Sequence, residues 1–459
     1  MKSSVIIASF LFIFGHAWSQ EELSLIQAQQ YGIQNAFSVQ SAKLDLQKAN
    51  ERVKEIKAIG LPQVNAQGSF QNFLDVPVQV LPDFISPSVY GVLIQSEVLE
   101  PDYPVPTPTF VEAQFGTSFT ASGTIQASQL IFDGSYLIGL KAIQGVRELS
   151  TIAVEKNEEE IKQTITEAYN LCLASAENIM VLSESKVILE KTLSDTEILY
   201  ENGFVEQQDV EQLQLSMKSL KNQILYANNQ QTIALQLLKF QMGMDQANDI
   251  KLTSSIEDLV SSSLAAGSSN VSFDINNDVD YRLAMTNKNL MVLDLKNKKS
   301  GYLPSLNAFF SYQRTAQRNE FNFFDGDESW FPSTVWGLNL NIPIFSSGMR
   351  KSQVAQAQIE LDRADLFLKQ AEQGAKLELT SAKNDMYFAV DNYQTAMDSK
   401  DLAKRIFDKT QIKYNEGISS SFELTQAKDQ LLQAQRQYVS AVVTLLNSSN
   451  ALNKALNIY

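Results

Sequence analysis

Two kinds of periodicity divide the chain. Stretches of period two occur in two pairs, each flanking a loop. Before the first loop, Val64, Ala66, Gly68 and Phe70 alternate with Asn65, Gln67, Ser69 and Gln71; after it, Phe119, Ala121, Gly123, Ile125 and Ala127 alternate with Thr120, Ser122, Thr124, Gln126 and Ser128. The second pair uses Leu306, Ala308, Phe310 and Tyr312, then Trp336, Leu338, Leu340 and Ile342 against Gly337, Asn339 and Asn341. Such alternation is the signature of strands with unlike faces, and here the polar face is uncharged and amide-rich. The apolar face is either the core of a soluble sandwich or the lipid side of a barrel whose polar face lines water. A length of ~10 residues per strand fits a tilted bilayer crossing.

Elsewhere the period is helical. Leu424, Ala427, Leu431, Ala434, Tyr438, Ala441 and Leu445 recur at alternating steps of three and four, a heptad seam, and Val210, Leu213, Met217, Leu220, Ile224 and Ala227 repeat it 214 residues earlier. Val354, Ala357, Leu361, Ala364, Leu368 and Ala371 form another seam, whose small residues permit close helix approach. No proline lies between Pro108 and Pro304 or after Pro343, so long stretches lack the strongest helix breaker. A continuous helix from Gly348 to Gly417 would be ~100 Å long, a length with no use in a globular domain.

The two halves are copies of one plan. Gly134 and Gly203 are 69 residues apart, as are Gly348 and Gly417, and Leu61-Pro62-Gln63-Val64-Asn65-Ala66 matches Leu303-Pro304-Ser305-Leu306-Asn307-Ala308. The first copy carries about 28 extra residues between these landmarks, in a loop holding seven of the eleven prolines. The expected organisation is a secretory signal at 1–19, a first repeat at 20–243, a Ser- and Asp-rich linker or belt at 244–272 and a second repeat at 273–459. The first repeat has a strand at 62–74, a loop at 75–113, a strand at 114–131 and a helical hairpin turning at Gly203. The second has a strand at 303–316, a loop at 317–333, a strand at 334–345 and a hairpin turning at Gly417.

Composition narrows the function. Lys2, the apolar run Val5 to Phe14 and small residues at Ala17 and Ser19 give 1–19 its signal character, and no Cys near the cleavage site offers a lipid attachment point. The single His, His16, lies inside that segment, and Cys172 is the single Cys. A mature chain without imidazole excludes Ser/His and Cys/His nucleophilic systems and His-ligated metal, so no catalytic residue, metal or cofactor is expected. Lys plus Arg number 37 against 52 Asp plus Glu, a net charge of -15 that argues against nucleic acid. Four amphipathic strands cannot close a barrel, and an open sheet edge cannot rest in lipid, so a membrane reading requires several copies; three supply twelve strands.

Helix, strand, loop, strand, long helix and tight Gly-centred turn, given twice over nearly the whole chain, resembles the TolC-type outer membrane efflux protein family. The resemblance implies an α+β membrane protein: two tandem repeats giving four strands of a twelve-stranded trimeric transmembrane barrel, with coiled-coil helices forming a periplasmic tunnel. It implies a homotrimer in outer membrane lipid, a passive exit duct gated at its periplasmic end. Its partners would be a periplasmic adaptor (membrane fusion) protein and an inner-membrane transporter of RND or ABC type. The adaptor-contacting turns correspond to Asn202, Gly203 and Phe204 and to Glu416, Gly417 and Ile418. The gate and lumen positions correspond to Asp209, Glu423, Gln426 and Tyr414, where the family often has an acidic residue in place of Gln426. Acidic residues early in a helix also serve its dipole, so capping stands beside lumen lining for Asp209 and Glu423. A periplasmic adaptor, an enzyme and a soluble coiled-coil scaffold are the competing classes, and the paired hairpins, missing His and amide-faced strands count against each in turn.

Overall fold

The computed structural model describes residues 21–104, 110–267 and 272–458. The signal expected at 1–19, Pro106 and Pro108 of the first loop, and residues 268–271 of the linker lie outside these. In chain order the elements are β1 (Glu21–Leu23), α1 (Leu25–Asn35), α2 (Phe37–Ala58), β2 (Gln63–Asn72), β3 (Val78–Pro82), α3 (Ile85–Gln95), β4 (Phe110–Gln114), β5 (Phe119–Phe132), α4 (Gly134–Glu201) and α5 (Gln207–Met242). They continue with β6 (Ile250–Leu252), α6 (Ile256–Gly267), α7 (Val279–Ser300), β7 (Ser305–Arg318), β8 (Phe331–Asn341), α8 (Met349–Asn415) and α9 (Ser421–Ala455). Contacts divide the chain into two units. One holds Arg52–Ile143 and Leu293–Ala357; the other holds Gln144–Val292 with the residues up to Glu51 and from Gln358 onward.

The first of these units is built on an antiparallel sheet of order β2-β5-β7-β8. Its register places Val64, Ala127, Phe310 and Trp336 in one row and Ala66, Ile125 and Tyr312 in the next, so the apolar positions of all four strands share one face. On the other face the register aligns Asn65, Gln126 and Ser311, and the Ser69 and Ser122 hydroxyls meet at 2.7 Å. Apolar side chains on the first face stay exposed, Trp336 at 77% and Leu338 and Leu340 at 60% each. Among the described residues β2 and β8 have free outer edges.

The first loop is more ordered than its prolines imply. β3 and β4 pair antiparallel from Val78 with Gln114 to Pro82 with Phe110, and α3, which carries no charge, lies between them. Residues up to Gln114 therefore belong to this excursion, and the strand expected at 114–131 occupies Phe119–Phe132. In the second repeat β7 extends to Arg318, and β8 starts at Phe331 and stops at Asn341, where Pro343 cannot supply a ladder donor. Between them Phe321 meets Phe70 and Phe119 edge to face, Phe323 meets Phe70 in the same way, and the Arg318 guanidinium sits 5.5 Å from the Phe323 ring centroid while bonding the Glu328 carboxylate.

The other unit is helical. Its seams bury Val210, Leu213, Met217, Leu220 and Ala227 on α5, Leu424, Ala427, Leu431, Ala434, Ala441 and Leu445 on α9, and Ala364 on α8. This is the burial that a heptad pattern dictates. The linker is not plain coil: β6 pairs parallel with β1, and α6 contributes Val260 to a core with Met386, Ala389, Val442 and Leu445. Tyr169 of α4, fully buried, donates its hydroxyl to Leu23 O at 2.9 Å and accepts from Ser254 N at 3.1 Å, so one side chain joins the helix to β1 and to the segment that follows β6.

Candidate functional site

Both helical hairpins turn in the same way. At the end of α4 the Phe204 amide donates to Leu199 O at 2.9 Å and the Gly203 amide to Tyr200 O at 2.9 Å; at the end of α8 Ile418 donates to Lys413 O at 2.8 Å and Gly417 to Tyr414 O at 3.0 Å. This pair of bonds is the Schellman motif, which requires a left-handed residue after the helix. Gly203 at φ 79° and Gly417 at φ 71° supply it. A hydrophobic residue following the glycine commonly folds back onto the helix, but here Phe204 is 77% and Ile418 76% exposed. Asn202 and Glu416, just before the glycines, are exposed as well.

The returning helices start with capping boxes. Ser420 accepts from the Glu423 amide at 3.3 Å, and Glu423 accepts from the Ser420 amide at 3.2 Å and from the Ser419 hydroxyl. The Ser419 hydroxyl, then the Ser420 amide, holds the Glu423 carboxyl below the usual carboxylate range. In the first hairpin Asp209 occupies the same third position and accepts from the Glu206 amide at 3.1 Å. Each acidic residue thus satisfies an amide that the helix start leaves without an intrahelical partner.

Asp209 does more than cap. Its other oxygen accepts a hydrogen bond from the Ser421 hydroxyl of α9, which joins the two hairpins. A second link lies close by in sequence: Tyr414 of α8 and Thr196 of α4 bring their hydroxyls to 2.7 Å, both side chains buried, with Phe407, Leu424, Ala427 and Leu431 packed around the tyrosine. Burial pushes the Tyr414 hydroxyl above its ordinary value, and Asp209 and Asp195 nearby act in the same direction. Glu423 and Gln426 remain exposed, and among the described residues neither forms a hydrogen bond or ion pair with the other hairpin. The sequence pattern did not single out Thr196 and Ser421, the partners in these links. One was within reach, since the 214-residue repeat sets Thr196 and Tyr200 against Thr410 and Tyr414.

Comparison with known proteins agrees with this plan. Residues 294–457 match the family model described as outer membrane efflux protein. The chain is 21% identical over 334 residues to the outer membrane protein TolC of Salmonella enteritidis, covering 72% of this chain and 67% of that one. Among solved structures it resembles the Campylobacter jejuni CmeC outer membrane channel, with a TM-score of 0.69 at 15% identity, covering 100% of this chain and 94% of that one. It also resembles the outer membrane protein VceC of Vibrio cholerae, with a TM-score of 0.67 at 15% identity, covering 94% and 96%. The sequence of the second repeat thus carries the outer membrane efflux protein domain, and the whole chain has the fold of the solved outer membrane channels it resembles.

Proposed function

We propose that three copies of this chain form an outer-membrane exit duct, a passive conduit that performs no chemistry. The observation that carries this reading is the β2-β5-β7-β8 sheet, with one apolar face, one uncharged polar face and two free edges. Placed in lipid, those edges require partners, and three sheets joined edge to edge give a closed barrel with the amide-lined face turned to water. Large exposed apolar side chains on the long helices, among them Leu215 and Tyr226 on α5 and Ile359, Leu366 and Leu377 on α8, support burial between copies.

In this assembly the sheet unit is the membrane-inserted part and the helical unit the periplasmic part. The outward Phe204 and Ile418, with Asn202, Gly203, Glu416 and Gly417, are the docking points for a periplasmic adaptor that connects the duct to an inner-membrane transporter. Asp209 and Glu423, repeated three times, place rings of negative charge at the narrow end, and Gln426 leaves one position of that lining uncharged. The Asp209–Ser421 and Thr196–Tyr414 links hold the hairpins together in the closed duct.

Single-channel recording of the detergent-purified protein in planar bilayers tests the proposal. A small cation-selective conductance is expected, larger and less selective in Asp209→Ala/Glu423→Ala. A water-soluble monomer without conductance would overturn it.

A further inference from the structure

The apolar face of the sheet is interrupted in one row. Register aligns Gly68 of β2, Gly123 of β5, Arg314 of β7 and Pro332 of β8. The neighbouring row on one side carries Ala66, Ile125, Tyr312 and Thr334; on the other it carries Phe70, Ala121 and Ala316. At Gly68 and at Gly123 nothing lies within 4 Å of where a Cβ would stand, so the row is a recess floored by backbone. Beyond it stands the aromatic group of Phe70, Phe119, Phe321 and Phe323.

Arg314 is the charged residue of this recess. Its Nε donates to the Tyr312 hydroxyl at 2.9 Å, which fixes the guanidinium and leaves the outer nitrogens free. Arg318, four residues on, is buried against Glu328, whereas Arg314 is exposed and has no carboxylate partner among the described residues. An exposed cation on a lipid-facing surface is unfavourable without an anion or water within reach. Nine residues of tilted strand separate it from Ser305 at the start of β7, a rise of roughly 20 Å, which places it near one boundary of the ~25 Å apolar band. A guanidinium presents paired donors that match the oxygens of a phosphate.

We propose that Arg314 and Tyr312, with the floor formed by Gly68 and Gly123, bind the phosphate of an anionic lipid, whose glycerol and upper chain fill the recess. This rests on the lipid-facing reading of the sheet given above. The test is native mass spectrometry of the detergent-purified protein titrated with phosphatidylglycerol, with phosphatidylcholine and with inorganic phosphate. The wild type is expected to retain phosphatidylglycerol at least ten-fold more than phosphatidylcholine. Arg314→Gln loses that preference, Arg314→Lys keeps part of it, and Tyr312→Phe weakens it while keeping the charge. Equal retention by wild type and Arg314→Gln would overturn the site. Displacement of the lipid by millimolar inorganic phosphate would overturn the lipid assignment. The same spectra report oligomeric mass: trimers of every variant, with wild-type conductance, keep the duct intact whatever the lipid result, whereas monomers throughout would instead sink the duct.

Discussion

The Tyr414 hydroxyl lies 2.7 Å from the Thr196 hydroxyl, so the last turn of α8 is tied to α4 near its end by a buried bond. Thr196 also donates to Thr192 O at 2.8 Å, which leaves Tyr414 as the donor in the link. Tyr414→Phe removes that donor and keeps the ring packing. Thermal unfolding should show a loss of about 1 kcal/mol, and the open fraction in bilayer recordings should rise. An unchanged open fraction would make the bond purely structural. Because burial raises the Tyr414 hydroxyl above its ordinary value, the group stays protonated through neutral pH. Its contribution is complete below the unfolded tyrosine value and is lost as pH rises through the folded one, so the link is expected to be insensitive between pH 5 and 9.

Capping and lumen charge separate by substitution. Ser420→Ala removes one half of the second capping box at a cost of about 1 kcal/mol and should speed amide exchange at Glu423 and Leu424 without altering ion selectivity. Glu423→Gln should reduce cation selectivity. The Glu423 carboxyl is held low, so its capping contribution is present above the ordinary glutamate value and fades as pH falls through the folded one. Protection of the amides at the start of α9, taken relative to their intrinsic exchange rates, should therefore fall only in acid.

Three left-handed glycines respond differently to alanine. Gly203→Ala and Gly417→Ala place a Cβ in open space, and the cost is that of the backbone conformation, about 1 kcal/mol each by thermal unfolding. At Gly243, φ 71°, the same Cβ would stand 2.3 Å from Asn35 O. Gly243→Ala must displace the α1–α2 junction and is expected to be far more destabilising. Equal effects at all three positions would contradict the close approach.

The two faces of β8 give the sharpest check on membrane orientation. Leu338→Arg puts a charge on the apolar face and should lower bilayer insertion by ~2–4 kcal/mol if near the midplane. Asn339→Arg, one residue on, should insert normally and change conductance. The reverse ordering, read by heat-modifiable migration after reconstitution, would exchange the lipid and water faces.

Cys172 is buried, and desolvation raises its thiol to about 12. Reaction with a maleimide at neutral pH is expected only after unfolding, which makes this thiol a reporter of the core around Ile165, Tyr169 and Leu238. Rapid labelling of the folded protein would show that core opening.

Much of this architecture was written in periodicity. The alternation around Val64 and Leu306 implies unlike faces, and the spacing of Gly134 to Gly203 and of Gly348 to Gly417 marks the two hairpins. Other features had no local signal. Glu21–Leu23 and Ile250–Leu252 are three residues each, too short for a period, and exist as strands because they find each other. The β3–β4 pairing was masked by prolines that sit at or beyond its ends. The bond from Ser421 to Asp209 spans 212 residues of sequence, and nothing in either segment announces the other. The second capping box is local, with Ser420 and Glu423 three residues apart, yet that pattern alone does not reveal whether the carboxylate also faces a pore.

The free edges of β2 and β8 bear on how the protein is made. In the proposed three-copy duct a lone chain in the bilayer would expose two rows of unsatisfied backbone groups, so insertion and assembly are expected as one cooperative step rather than successive events. Biogenesis then depends steeply on local subunit concentration. A chain defective in a single edge strand would be dominant over normal chains, because the share of fully normal ducts falls with the cube of the share of normal subunits.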